Sequence, residues 1–235
     1  MITVKGSLQR LLLKIDISSS YDLLIFLKDL DLLKNSPKFW WPEYGTFKVV
    51  IGAILTQNTK WTNVEKSLSN LYNFIQKETQ TIEDDELIRF MSDIDTLILS
   101  NLIAPSGFKN QKAPRIKLLC KNIVNDFETF ENFQKNVSRK WLLKQKGIGL
   151  ESADAILCYA CQRESMVVDS YTKKLLEHYG YEFETYDDIK DWLEFGINEN
   201  YDKIIQNYGF DITLNEIYAR LHGKIVEYMK KKDSL

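Results

Sequence analysis

At 235 residues, with 44% hydrophobic and 27% charged residues, the chain is long enough to bury a core and too apolar to be disordered. A net charge of −2 excludes a uniformly basic nucleic-acid binder, and three cysteines, Cys120, Cys158 and Cys161, do not make a secreted disulfide framework. With no apolar run approaching the ~20 residues that span a bilayer and no visible signal peptide, the expectation is a soluble, intracellular protein without a membrane partner.

Residues 7–34 have the spacing of one or two helices, and the run Leu11-Leu12-Leu13 is cut short by Lys14 and Asp16. Pro37 and Pro42 bracket Phe39-Trp40-Trp41, which has no helical period and predicts a loop or short turn. Phe47 to Leu55 is almost continuously apolar, with Gly52 and Ala53 allowing close packing, and predicts a helix buried inside a lobe. Helical patterns follow at 61–77, 84–92 and 94–101, then from Pro114 to Phe127 with Pro114 as a first-turn residue. Residues 138–145 and 150–161 read as two helices joined by Lys146-Gly147-Ile148-Gly149. Asp169 opens another helix, and 187–195, 199–207 and 214–231 complete the pattern. Strand-like alternation is nearly absent, so the fold class is all-α.

Charge is uneven along the chain. Lys109, Lys112, Arg115, Lys117 and Lys121 form one stretch without acids, and Arg139, Lys140, Lys144 and Lys146 form a second. The acids gather in Glu83-Asp84-Asp85-Glu86, at Asp93 and Asp95, and between Glu182 and Glu194. These stretches read either as a locally basic face for phosphate contact or as solvated helix faces.

The hairpin at 138–161 is the most informative segment. Gly147 and Gly149 permit backbone angles that other residues resist, and Ile148 can plug back between the helices. The amides opening the second helix then offer an anion site reinforced by Lys144 and Lys146. A Gly-x-Gly turn alone reads as a plain helical hairpin. Its pairing with Met166-Val167-Val168-Asp169 is much rarer.

The run from Arg139 to Leu176, with GIG, ESADAILCYA and VVDSYTKKLL, resembles the signature of the endonuclease III superfamily of DNA glycosylases. Ile51 to Thr59, Gly107 to Ala113 and Leu221-His222-Gly223-Lys224 are similar to further segments of that family, in the same order. The resemblance implies two helical lobes with a DNA-binding cleft between them. One lobe would be residues 46–162, containing the helix-hairpin-helix at about 138–161; the other would be 1–45 with 163–235.

Three features refine the expectation. Glu151 stands where bifunctional members carry the lysine that forms a Schiff base. A carboxylate cannot, so the resemblance implies base release without lyase activity. Glu151 itself reads either as a base contact or as an acid favoured at a helix start. The segment from Lys224 to Lys232 lacks the four cysteines that hold an iron–sulfur cluster in many relatives, so no cofactor is expected. Cys158 and Cys161 have metal-like spacing but lie in an apolar helix without a partner pair, and read as buried thiols. Members with an aromatic block like Phe39-Trp40-Trp41-Pro42 resemble the endonuclease-III-like 3-methyladenine DNA glycosylases. Trp40, Trp41, Pro42 and Trp61 are therefore expected around an alkylated purine, whose fixed charge electron-rich rings attract by about 0.5–2 kcal/mol, with hydrophobic core as the alternative for the tryptophans, Trp61 above all.

The resemblance makes Asp169 the carboxylate that stabilises an oxocarbenium-like sugar and orients water, a role compatible with capping a helix. The target base must be flipped out of the duplex. Gln57 then fills the gap or is an ordinary surface amide, and Phe108 wedges into the opposite strand or is a core ring. Lys224 stabilises Asp169, reaches a phosphate, or is a snorkelling surface lysine. The implied protein is a cytoplasmic monomer, nucleoid-associated if bacterial, acting on double-stranded DNA that contains alkylated bases. Two alternatives remain: a bifunctional glycosylase acting on oxidised bases through another lysine, and a non-catalytic helix-hairpin-helix binder. With only His178 and His222 and no spaced ligand set, a metal hydrolase is set aside.

Overall fold

The computed structural model describes residues 17–78 and 83–232; the helical expectation for residues 7–16 lies outside them. Among the described residues there are thirteen α-helices and no strand, as the missing alternation predicts. No helix among them is long and apolar enough to cross a membrane. The chain divides into two compact units. Glu43–Arg163 is one; the described residues up to Pro42, including α1 (Ser20–Asp29), join those from Glu164 onward in the other.

The Glu43–Arg163 unit is organised around α2 (Phe47–Leu55), in which every residue but Lys48 is buried. A helix apolar on all sides must sit inside its unit. It touches α3 (Trp61–Glu78), α4 (Asp84–Asp93), α6 (Lys109–Phe127) and α9 (Leu150–Ala155), the last running on as a π turn, Ile156–Ala160. Between these lie α5 (Thr96–Leu102), α7 (Phe130–Asn136) and α8 (Arg139–Leu143). Part of the acidic stretch turns inward to cap helices: Asp84 Oδ1 accepts from the Phe47 amide at 3.0 Å, and Asp85 Oδ1 from the Phe130 amide at 2.5 Å. The cap on α7 is shared with Thr129, whose hydroxyl accepts from Asn132. The periodicity reading leaves this helix out.

Pro114 departs from its expected place. Helix α6 begins at Lys109, five residues earlier, so Pro114 lies inside it and forfeits one i→i−4 hydrogen bond. The helix continues because Ala113, Ile116, Leu119, Cys120 and Ile123 bury its inner face, each large apolar side chain contributing about 1.5–3 kcal/mol.

The second unit packs α1 against α11 (Tyr186–Asn198) and α13 (Leu214–Lys232), with α13 also on α10 (Ser170–His178) and α12 (Tyr201–Tyr208) beside α11. Leu23, Leu24 and Leu27 of α1 meet Leu175 and Leu176, Leu193 and Ile197, and Ile217, Leu221 and Ile225 of α13, spaced by four, in one core. Helix α11 opens on a reciprocal capping box between Thr185 and Asp188.

Candidate active site

The sequence-predicted site residues fall into two sets, one in each unit. Trp40, Trp41, Pro42, Asp169 and Lys224 belong to one unit; Gln57, Trp61, Phe108, Lys144, Lys146, Gly147, Ile148, Gly149 and Glu151 belong to the other.

Asp169 follows the buried run Met166-Val167-Val168 and caps α10 in an extended conformation. Its Oδ1 accepts from the Thr172 amide at 2.8 Å and the Thr172 hydroxyl at 2.9 Å. Oδ2 lies 3.6 Å from Nε2 of the buried His222. Burial opposes ionisation of Asp169, but His222 and the two Thr172 hydrogen bonds outweigh it and hold the carboxyl below the usual carboxylate range. The result is a fixed anion at a helix start, where the dipole also favours it.

Beside this pair stands the aromatic loop. The Trp40 indole is edge-on to the His222 ring, with centroids 5.0 Å apart at 76°, and edge-on to Trp41 at 6.1 Å. Trp40 is half-buried with a left-handed φ of +66°, Trp41 is buried, and Pro42 is exposed.

One face of α13 holds the loop down, through residues spaced as i, i+4, i+7 and i+11. Glu216 pairs with Lys38 at 3.2 Å, and Arg220 donates to the Lys38 carbonyl at 2.9 Å. Gly223 lies under the indole, where a Cβ would come within 2.4 Å of Trp40 Cγ, and Glu227 accepts from the Leu33 amide at 2.7 Å. These four, and His222, pack against the predicted site and are missed by sequence reasoning; their helical spacing behind an aromatic loop is the signal that points to them.

Lys224 is not a surface lysine. It is buried, its Nζ donates to the Leu27 carbonyl at the end of α1 at 3.2 Å, and burial pushes its pKa down to about 8, assisted by Arg220.

In the other unit, Ile148 is buried as the plug reading requires, while Lys144 and Lys146 are exposed. Gly147 needs its glycine: φ is +87°, and a Cβ would lie 2.5 Å from the Arg115 side chain. Gly149 corrects the expectation of unusual angles at both glycines. It is extended, with φ −95° and ψ −178°, and a Cβ there would enter open space at the start of α9. Glu151, in that helix's first turn, is exposed. Gln57 Nε2 donates to the Gly147 carbonyl at 2.9 Å and to Ser152 Oγ at 3.0 Å, so its amide is docked on the hairpin. Phe108 is 58% exposed, which excludes the core-ring reading. Trp61 opens α3 and is half-buried.

The basic stretches do not form simple faces. Lys112 is buried, Lys117 donates to the Ile94 carbonyl at 2.6 Å, and Arg139 makes a two-pronged pair with the fully buried Asp154 at 3.0 and 2.9 Å. Cys120, Cys158 and Cys161 are buried thiols.

Comparison with known proteins places this geometry in context. Residues 51–199 match the family described as HhH-GPD superfamily base excision DNA repair protein. A Methanocaldococcus jannaschii protein, provisionally assigned as a DNA repair glycosylase, is 39% identical over 199 residues, covering 82% of this chain and 80% of its own. Thermotoga maritima endonuclease III is 25% identical over 193 residues, 80% of this chain and 75% of its own. The crystal structure of the H. pylori 3-methyladenine DNA glycosylase MagIII bound to 1,N6-ethenoadenine superposes with a TM-score of 0.87 at 48% identity, covering 91% of this chain and 98% of that one.

Proposed function

The chain belongs to the HhH-GPD superfamily of base-excision DNA repair proteins and is a DNA glycosylase, and from that premise we propose that it hydrolytically releases alkylated purines, chiefly 3-methyladenine, without cleaving the strand. The observation that carries the reading is the pairing of an ionised, doubly hydrogen-bonded Asp169 with the Trp40 ring held beside it through His222. An N3- or N7-alkylated purine is a cation with an already weakened glycosidic bond. It needs little leaving-group protonation, only rings to recognise it and a carboxylate to steady the developing oxocarbenium ion and orient water. Trp40, Trp41 and Pro42 supply the apolar recognition in this reading.

DNA is held at the hairpin. The amides after Gly149, where a side chain is absent and space is open, take a phosphate with Lys144 and Lys146 alongside. Gly147 and Ile148 shape that turn. Gln57 leaves its bonds to the hairpin to occupy the gap left by the flipped base, and the exposed Phe108 enters the opposite stack.

The test is base release from methylated duplex DNA with the freed bases resolved, and borohydride added to a parallel reaction. Release of 3-methyladenine without a trapped protein–DNA adduct is expected. Absence of any released methylated purine overturns the substrate assignment, and a trapped adduct overturns the hydrolytic one.

Substituting Gly223 probes the aromatic site from behind. Gly223→Ala puts a methyl group into the rigid Trp40 indole, and misplacing the ring by an ångström should lower base release by about 10- to 100-fold. Single-turnover rates should fall while the helical content stays unchanged; unaltered rates would remove Trp40 from the pocket.

A further inference from the structure

Lys112 lies in the first turn of α6, two residues before Pro114, and is 2% exposed. An ammonium has three donors, and here each has an acceptor: the carbonyls of Leu55 at 2.8 Å, Gln57 at 2.9 Å and Ser106 at 2.9 Å. Leu55 ends α2, so its carbonyl is one that a helix C-terminus leaves without an intrahelical partner, and Gln57 lies two residues on, in the turn that follows. Ser106 ends the short 3-10 turn Ala104–Ser106 that leads through Gly107 to Phe108. One side chain thus ties together two segments about fifty positions apart in sequence.

Both segments carry backbone strain just beyond the tie. Asn58, next to Gln57, has φ +54°, and Phe108 has φ +47°. Left-handed angles at non-glycine residues persist only where the surroundings over-determine them. A methionine would fill the same volume without taking a charge out of water. Burial lowers the Lys112 ammonium to about 8, so it carries its full set of donors at neutral pH. The Ser67 hydroxyl braces the same turn, accepting from the Ser106 amide at 3.0 Å and donating to the Ile103 carbonyl at 3.2 Å.

We propose that Lys112 is a positioning residue that locks the Gln57 and Phe108 loops into one rigid probing unit, set before DNA arrives, so that base extrusion does not have to order them. This rests on the reading of Gln57 and Phe108 as the residues that enter the duplex. The role predicts a split a merely structural lysine would not give: loss of Lys112 should hurt removal of a base that must be extruded, and spare removal of one already unpaired.

Lys112→Met tests this in two ways. Amide hydrogen exchange should speed up at least tenfold in residues 56–59 and 104–108 together, while α4 and α10 stay at wild-type rates. Release of 3-methyladenine should fall at least tenfold from a fully paired duplex, but less than threefold when the lesion sits in a single-base bulge. If the two segments do not loosen together, the lock is overturned. If they do but paired and bulged substrates lose activity equally, the role in extrusion is overturned. Should wild type release no methylated base from either substrate, the alkylated-purine reading fails on its own, and the exchange measurement still decides the lock. Where Lys112→Met melts below assay temperature, Lys112→Arg carries the same comparison, because a planar guanidinium cannot point three donors at one set of carbonyls.

Discussion

Asp169→Asn should release alkylated purines at least about 10²- to 10³-fold more slowly than wild type, the scale expected when one preorganised electrostatic group is removed. Its melting temperature should barely move. Asparagine keeps a side-chain oxygen to accept from the Thr172 amide and hydroxyl, so the cap on α10 survives. What disappears is the negative charge, and with it the attraction for His222 and the stabilisation of a cationic sugar. Asp169→Ala differs informatively, because it also deletes the cap and should cost about 1 kcal/mol of stability. Because the carboxyl is held below its usual range, the acid limb that it contributes to the pH–rate profile should lie below that of an ordinary aspartate. Single-turnover release with enzyme in excess measures the rate, and circular dichroism melting the fold. An Asp169→Asn protein retaining a tenth of wild-type activity would remove this carboxylate from the chemistry.

The largest effect on stability is expected at the pair inside the hairpin. Arg139 opens α8 and binds both carboxylate oxygens of Asp154 on α9, and the Asp154 side chain is fully buried. Removing the guanidinium alone takes the opposite charge away from an anion held in the interior, which costs about 3–5 kcal/mol. For a domain of this size Arg139→Met should therefore melt roughly 6–20 °C lower. Replacing both partners with apolar residues should recover much of the loss, because the desolvation penalty then vanishes along with the attraction. Urea unfolding of the two single variants and the double variant gives the comparison. A single-variant loss under 1 kcal/mol would mean that water reaches Asp154 and that the hairpin does not depend on the pair.

The helices were legible because they obey local rules. The apolar run Phe47–Leu55 is a buried helix because a segment without a polar face has nowhere else to go. Asp169 follows buried valines and caps a helix because its side chain reaches its own downstream amides. Gly147 marks the turn because its left-handed φ is a local demand. The demand on Asp169 and Gly147 is met within a few residues, and that on the apolar run follows from its composition alone.

Tertiary structure decided where long polar side chains end. Lys112 and Arg139 read as parts of basic faces, yet one is buried on three carbonyls and the other on Asp154. Asp84 and Asp85 read only as part of an acidic cluster, yet each caps a helix far along the chain. Their targets are backbone groups exposed only once other helices have packed, and no periodicity encodes that. The same holds for His222, which meets Asp169 and Trp40 because α13 packs on α10 while its own face holds down the aromatic loop. Local patterning determined the helices and the acid, whereas the charge environment of that acid came from partners that only folding brings within reach.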